Sequence, residues 1–272
     1  MKTSVNQRWR ESRSAYRPIG ETINTLDYEV AAISDDSTAK QFVISHHYSR
    51  SYPAARFRFG LYKHGYLVGV AVFSHPTHSR SVTNVFPVMS TEAVELGRFV
   101  LLDQVPGNGE TWFLGRAFHL LRQIGLLGVV SFSDDQPRTS DTGETVFLGH
   151  IGTIYQAHNA RYLGRGSSRP LRLLPDGSVF HARMIQKIRA GERGWQSGVE
   201  KLMHYGADAP GRDRALWLKY WLSRLTRNIQ HPGNHKYAWS LQPKKAWFLL
   251  PGMSYPKLSD QSEGREWRTR LS

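Results

Sequence analysis

One stretch narrows the fold more than any other. From Glu95 to Ile124 the chain reads ELGRFVLLDQVPGNGETWFLGRAFHLLRQI: a run of strand character, a turn holding Gly and Pro, then Trp112, Phe113, Ala117, Leu120, Leu121 and Ile124 at helical spacing. A second short, β-branched run, LLGVVSFSD, follows and ends in polar residues, as a buried parallel strand does. Strand, helix and parallel strand in succession make the crossover unit of an α/β sheet, which all-helical and all-β chains lack.

The flanking segments add to this unit. DDSTAKQFVISHHYS predicts a helix capped by Asp36 or Ser37, and RFRFGLYKHGYLVGVAVFSHP predicts two antiparallel strands joined at Lys63 to Gly65. IGTIYQAHNARYLG predicts a further helix closed by Gly164. Beyond it, SRPLRLLPDGSVFHARM reads as a hairpin turned at Asp176-Gly177, and GRDRALWLKYWLSRLTRNI as a helix with Leu218, Leu222, Leu225 and Ile229 on one face. IQHPGNHKYAW reads as a loop. The expected organisation is a polar N-terminal arm (1–25), a core with a mixed central sheet flanked by helices (26–165), and a basic C-terminal extension packed on the core (166–272).

Charge separates the last two parts. Residues 1–160 hold 15 Lys and Arg against 14 Asp and Glu, whereas residues 161–272 hold 21 against 8. That asymmetry points to a polyanion, since each Lys or Arg set on a phosphate releases a counterion. Arg50, Arg161, Arg165, Arg169, Arg183 and Lys187 are candidates for nucleic-acid contact, as are Arg193, Arg224, Arg227, His235 and Lys236. The absence of Cys removes disulfides, thiolate zinc sites and a cysteine nucleophile. No window approaches the roughly 20 apolar residues of a membrane span, so a soluble, cytoplasmic protein is expected.

Several residues can carry chemistry. Gln104, Gly107 and Gly109 spell Q-x-x-G-x-G where the strand meets the helix, and with Asn108, Glu110 and Thr111 they form a candidate anion cradle; the plainer reading is a strand-to-helix turn. Arg98, on the strand before it, is either a site residue or an ion-pair partner of Glu95. Asp134 and Asp135 close the strand VVSFSD, where an Asp can orient or deprotonate an attacking amine or merely cap a turn. Tyr155 can donate a proton, stack on a base or fill the core. In HHYSR, His47 can act as a base near neutral pH, Tyr48 and Ser49 add hydroxyls, and Arg50 can hold phosphate. Neighbouring His residues on a helix diverge by ~100°, so a metal would need His47 together with a distant partner such as Asp134.

With these pieces assembled, the chain resembles the Mom family of phage DNA modification proteins. The matching residues are ELGRFVLLD, the NGET of Asn108 to Thr111, VVSFSD, GHIGTIYQAHNARYLG, LPDGS, KIRAGERG, HPGNHKY and LPGMSYPK. The family usually reads close to SYAD where this chain has SFSD, so Phe132 and Ser133 are departures and Asp134 is retained. The Q-x-x-G-x-G turn is similar to the pyrophosphate-binding signature of the GCN5-related N-acetyltransferases. The resemblance implies such a fold and a conversion of adenine in double-stranded DNA to its carbamoylmethyl derivative, protecting phage DNA from host restriction. His47, Tyr48, Ser49, Asp134 and Tyr155 are then the candidate catalytic set. The implied acyl donor is glycyl-tRNA or acetyl-CoA, held by Arg98 and residues 104 to 111; an iron, on His47 and Asp134, belongs to the acetyl route. A non-catalytic DNA-binding protein and an ordinary N-acetyltransferase are the competing readings.

Overall fold

The computed structural model describes residues 5–10 and 13–18 by their backbone, and residues 21–242 and 247–257 in full. By its contacts the chain separates into two units, and it crosses between them four times: after Asp134, Gly149, Gly164 and Asn234. The boundary read at residues 165–166 is thus one of four.

The first unit is built on a seven-stranded mixed sheet. Within the N-terminal arm, β1 (Val5–Arg10) and β2 (Arg13–Pro18) pair antiparallel as a separate hairpin. The sheet proper contains β3 (Tyr28–Ala32), β4 (Ala55–Lys63), β5 (Tyr66–Ser74), β6 (Ala93–Leu101), β7 (Gly128–Ser133), β10 (Arg161–Arg165) and β13 (His235–Ser240). Its spatial order is β10-β13-β7-β6-β5-β4-β3, with β6 and β7 parallel and β13 antiparallel to β7. This is the mixed, helix-flanked sheet expected.

Both faces of the sheet are covered. On β5, Val70 and Val72 face α1 (Asp36–His46), while Ala71 and Phe73 join the larger cluster that includes Phe113, Leu114, Ala117 and Leu121 of α3 (Gly109–Gln123). Continuous burial explains why β5 reads as the unbroken apolar run YLVGVAVF rather than an alternating one. Short α2 (Arg80–Thr83) adds Val82 to a third cluster with Val130 and Ala238. The hairpin turn falls at His64 and Gly65, both at positive φ (47° and 82°), as a two-residue turn between twisted strands requires.

Three expectations for this unit change. Asp35, not Asp36 or Ser37, caps α1, its carboxylate accepting from the N–H groups of Ser37 and Thr38. IGTIYQAHNARYLG is helical only as α4 (Thr153–Ala157); Asn159 at φ 56° ends it, and the remainder becomes β10. IQHPGNHKYAW is no loop at its end, since His235 onward forms β13 in register with β7. Pairing with a distant strand overrode the local polar pattern.

The second unit (135–149 and 165–234) contains β8 (Arg138–Thr139) paired with β9 (Thr145–Phe147), β11 (Arg169–Leu173) paired with β12 (Arg227–His231), and helices α5 (Ala182–Ala190), α6 (Gln196–His204) and α7 (Arg214–Leu225). Leu174, Ile188, Leu202, Leu218 and Leu222 form its core. The turn at Asp176-Gly177 is present, with Gly177 at φ 76°, but β11 takes β12 as its main partner, and Ile229 lies on β12 rather than on the helix. The expected hairpin is short: the bridge between Leu173 and Val179 is flanked by the Leu174 N–H on the Ser178 carbonyl at 2.9 Å and the Phe180 N–H on the Arg172 carbonyl at 2.8 Å.

Candidate active site

Parallel pairing of β6 with β7 stops after Glu95 and Val130. β6 continues beside β5 to Leu101, and β7 beside β13 to Ser133, so the two strands part and open a gap between them. The Ser131 hydroxyl spans the start of the gap, donating to the Leu96 carbonyl at 3.0 Å. Opposite β5, Val72 faces Arg98 and Phe73 faces Leu96, which leaves Gly97 as the extra residue of a bulge. A Cβ there would lie 2.9 Å from Ser74 Oγ, so glycine permits the bend at the residue before Arg98.

Arg98 is held by Ser51: its Nε donates to the carbonyl at 2.8 Å and its Nη2 to the hydroxyl at 2.6 Å. Burial lowers its pKa, against the opposing influence of Tyr48, Glu95 and Tyr155. Burial likewise raises the carboxyl of Glu95, against hydrogen bonds from Thr77 and the charge of Arg98. Lys236, half-buried on β13, is lowered by desolvation and raised by the same Glu95. Half-buried Glu95 thus acts on two half-buried cations, Arg98 and Lys236, where charges interact more strongly than in open water.

His47 is the C-cap of α1 and only 8% exposed. Burial, then the charges of Arg98 and His150, drive its pKa well below the ordinary 6.5, so the ring is neutral. Its Nδ1 accepts the Ser49 N–H at 3.1 Å and lies 2.9 Å from the Ser49 hydroxyl. The neutral ring then carries its proton on Nε2, which makes His47 a donor rather than a base. The Tyr48 ring stacks 4.2 Å away, and its hydroxyl is 3.2 Å from His150 Nε2. The His150 N–H in turn donates to the Asp134 carbonyl at 2.7 Å, which ties the end of β7 to the start of the GHIG segment.

Tyr155 reaches this region because of Gly152. At φ 76° Gly152 caps α4 in the left-handed conformation, and a Cβ would lie 2.8 Å from both the Tyr155 and Tyr237 rings and 3.0 Å from Ser133 Oγ. Burial raises the Tyr155 pKa, with Ser131 and Arg98 opposing, so its hydroxyl stays protonated at neutral pH. Beside it, Ser133 is 1% exposed and its hydroxyl has no hydrogen-bond partner among the described residues. The arrangement supplies a fixed cation, a neutral imidazole donor and a protonated phenol, and half-buried Asp134 follows Ser133 at the end of β7. Such a set can hold a developing oxyanion and move one proton.

The turn before α3 is a packed corner. Gly107 donates its N–H to the Glu21 carboxylate at 2.9 Å, and Asn108 accepts the Ile23 N–H on its side-chain oxygen at 2.7 Å. Gly109 is required for packing, since a Cβ would meet Val105 Cγ1 at 2.4 Å, and Thr111 bonds back to the Asn108 carbonyl at 3.1 Å. Glu110 is buried and Gln104 exposed. An anion does sit on the Gly107 N–H, and it is the protein's own carboxylate.

Many candidate nucleic-acid residues have internal partners. Arg165 is paired with Asp135, Arg183 with Glu192, and Arg227 with Asp141 at 3.1 Å. Arg169 donates to Asn234 at 3.2 Å; Arg161 lies over Phe248, 4.2 Å from the ring centre. His235 is buried, 2.8 Å from the Tyr162 hydroxyl, so it is a core group rather than a phosphate contact. Arg50, Arg193 and Arg224 are exposed, Lys187 half-exposed, and Arg224 stacks 3.4 Å above Tyr220. Sequence reasoning missed His150, Ser131 and Tyr237. The two serines of VVSFS, both on one face of an otherwise apolar strand, were the available signal. Among the described residues no group of three or more His, Asp or Glu gathers around one point. Also among them, no helix is long and apolar enough to cross a membrane.

A family model described as the Mom protein family matches residues 27–208. No curated protein matches. Similar solved structures include an N-acetyltransferase from Staphylococcus aureus Mu50 (10% identity, 79% of this chain and 99% of that one, TM-score 0.36). A tandem GNAT protein from the clavulanic acid biosynthesis pathway shows 10% identity over 80% of this chain and 100% of that one, with a TM-score of 0.42. A Bacillus subtilis acetyltransferase in complex with CoA shows 11% identity over 79% and 98%, with a TM-score of 0.32. At these values the likeness says nothing about the reaction.

Proposed function

Because the chain belongs to the Mom protein family, we propose that it is a DNA modification enzyme of the acyl-transfer type, converting adenine in duplex DNA to N6-carbamoylmethyladenine and shielding phage DNA from restriction. The observation that carries this reading is the set of buried His47 with half-buried Arg98 and Tyr155 beside the parting of β6 and β7, with Asp134 following the end of β7. The adenine amine lies inside the stack, so the base must be flipped at a cost of about a few kcal/mol.

The donor in this proposal is glycyl-tRNA rather than acetyl-CoA. Asp134 takes a proton from the adenine amine as its nitrogen bonds to the glycyl carbonyl carbon. Arg98 and the His47 Nε2–H stabilise the oxyanion, and Tyr155 protonates the departing tRNA oxygen. The glycyl amine then attacks the ring carbon bearing that nitrogen, closing a five-membered ring. Cleavage of the original carbon–nitrogen bond opens it, and the first nitrogen leaves as the terminal amide. Every atom is conserved and no electrons are exchanged with a third party.

Purified protein, labelled glycyl-tRNA and DNA should yield labelled carbamoylmethyladenine, read by mass spectrometry of the nucleosides. Absence of label, while acetyl-CoA with iron gives the product, would sink the glycyl route. Asp134→Ala should abolish modification and leave DNA affinity intact.

A further inference from the structure

In the second unit, a cleft of about 370 Å³ between the end of α5 and the start of α7 is lined by Arg189, Arg212, Arg214, Asp213 and Ala215. Three arginines line it with one aspartate. That carboxylate is already engaged: Asp213 Oδ1 accepts the N–H groups of Ala215 at 3.0 Å and Leu216 at 2.9 Å as the cap of α7. Arg214 is fixed in place, its Nε donating to the Ile188 carbonyl at 3.3 Å and its guanidinium lying over the Trp195 ring at 5.1 Å. Gly191 makes room for it, since a Cβ there would stand 2.6 Å from Arg214 Nη2. Arg189 and Arg212 are exposed and have no hydrogen-bond or ion-pair partner among the described residues.

We infer that this cleft is a seat for backbone phosphate of the DNA substrate, with Arg189 and Arg212 supplying the charge and Arg214 the fixed wall. Like charges gathered around an open cleft repel one another until an anion enters, and the guanidinium fork matches phosphate oxygens. A polymer fits better than a lone anion because the cations continue along the exposed side of α7: Lys219 and Arg224 follow, with Leu216 (65% exposed) and Tyr220 (49%) among them. The second unit as a whole holds fourteen Lys and Arg against eight Asp and Glu. The inference rests on the DNA-modification reading and adds the place where the duplex is held.

The test measures binding of the full-length protein to a fluorescent duplex of about 30 base pairs as salt rises from about 50 to 200 mM, where affinity falls by about 0.9 log units per log unit of salt for each phosphate contact. Arg189→Gln with Arg212→Gln should lower the slope by about 1.8. Its affinity should then fall about 12-fold less across that range than that of the unmodified chain. Each single variant should lose about half of that slope, and Arg183→Gln, whose partner is Glu192, should lose none. An unchanged slope in the double variant, or an equal change in Arg183→Gln, overturns the site while leaving the proposed function standing. A slope change seen with tRNA and not with duplex also overturns it, in favour of RNA. If the unmodified chain neither binds nor modifies DNA, the functional reading falls and takes this inference with it.

Discussion

Gly152→Ala is the sharpest test of how α4 delivers Tyr155. The substitution meets two separate penalties. The left-handed conformation (φ 76°) costs a residue with a Cβ about 1–2 kcal/mol. The new methyl group must also displace Tyr155, Tyr237 or Ser133, whose atoms stand 2.8, 2.8 and 3.0 Å from its position. Overpacking of this kind costs about 1–3 kcal/mol, giving about 2–5 kcal/mol in total. Gly125→Ala isolates the first penalty, since Gly125 has φ 85° and nothing within 4 Å of the place its methyl group would take. At roughly 2–4 °C per kcal/mol, Gly125→Ala should lower Tm by about 2–8 °C and Gly152→Ala by about 4–20 °C. Differential scanning calorimetry of both proteins measures the gap directly. Equal Tm values would refute the close packing of Gly152 against the tyrosines, and with it the account of how Tyr155 is placed. Modification activity should fall further in Gly152→Ala than its residual folded fraction explains.

Other perturbations probe the same site and its neighbour. The folded pKa of His47 is depressed, so its contribution is intact above pH 6.5 and is lost as pH falls below 6.5 toward the folded value; His47→Gln should flatten the acid limb of the stability–pH curve by up to about 1.4 kcal/mol per pH unit, and an unchanged limb would contradict the burial argument. Arg98→Met removes a charge that lowers the His47 pKa, so that pKa should rise, followed by NMR of the ring proton; no rise would mean that Arg98 does not act on His47. Tyr155→Phe should slow adenine modification by about 10²–10⁴-fold with DNA affinity retained, and full activity would remove Tyr155 as the proton donor. In the second unit, Asp208 Oδ1 accepts the indole N–H groups of Trp217 at 2.8 Å and Trp221 at 2.6 Å. Asp208→Ala should destabilise that unit by about 1–2 kcal/mol in urea unfolding followed by Trp fluorescence, and an unchanged midpoint would deny these bonds their role.

Legibility followed the range of the interactions involved. The hairpin turn at His64-Gly65, α3 and the β7 run were readable because a few neighbouring residues settle each of them: a positive-φ turn, a helical apolar stripe, a short β-branched run. The segment after Ala157 was not readable in the same way. Asn159 turned the chain, and the rest of GHIGTIYQAHNARYLG became a strand whose neighbour, β13, lies more than seventy residues further on. In the site, the residue types of HHYSR, Asp134 and Tyr155 were visible as chemistry, but not their states. His47 could be read as a base until the Ser49 N–H was found on its Nδ1. Likewise, the Q-x-x-G-x-G turn looked like an anion cradle until Glu21 was found on it.

By itself, then, the sequence determined the α/β class, the crossover unit, the family and the separation of a near-neutral stretch from a basic one. All of these depend on composition and on patterns within a dozen or so residues. Only the tertiary structure decided which arginines are paired and which are exposed, where β6 and β7 part, and that His47 presents a proton rather than a lone pair. Those properties depend on burial and on partners far along the chain, and a side chain's charge state and hydrogen-bond direction do not exist until both are in place.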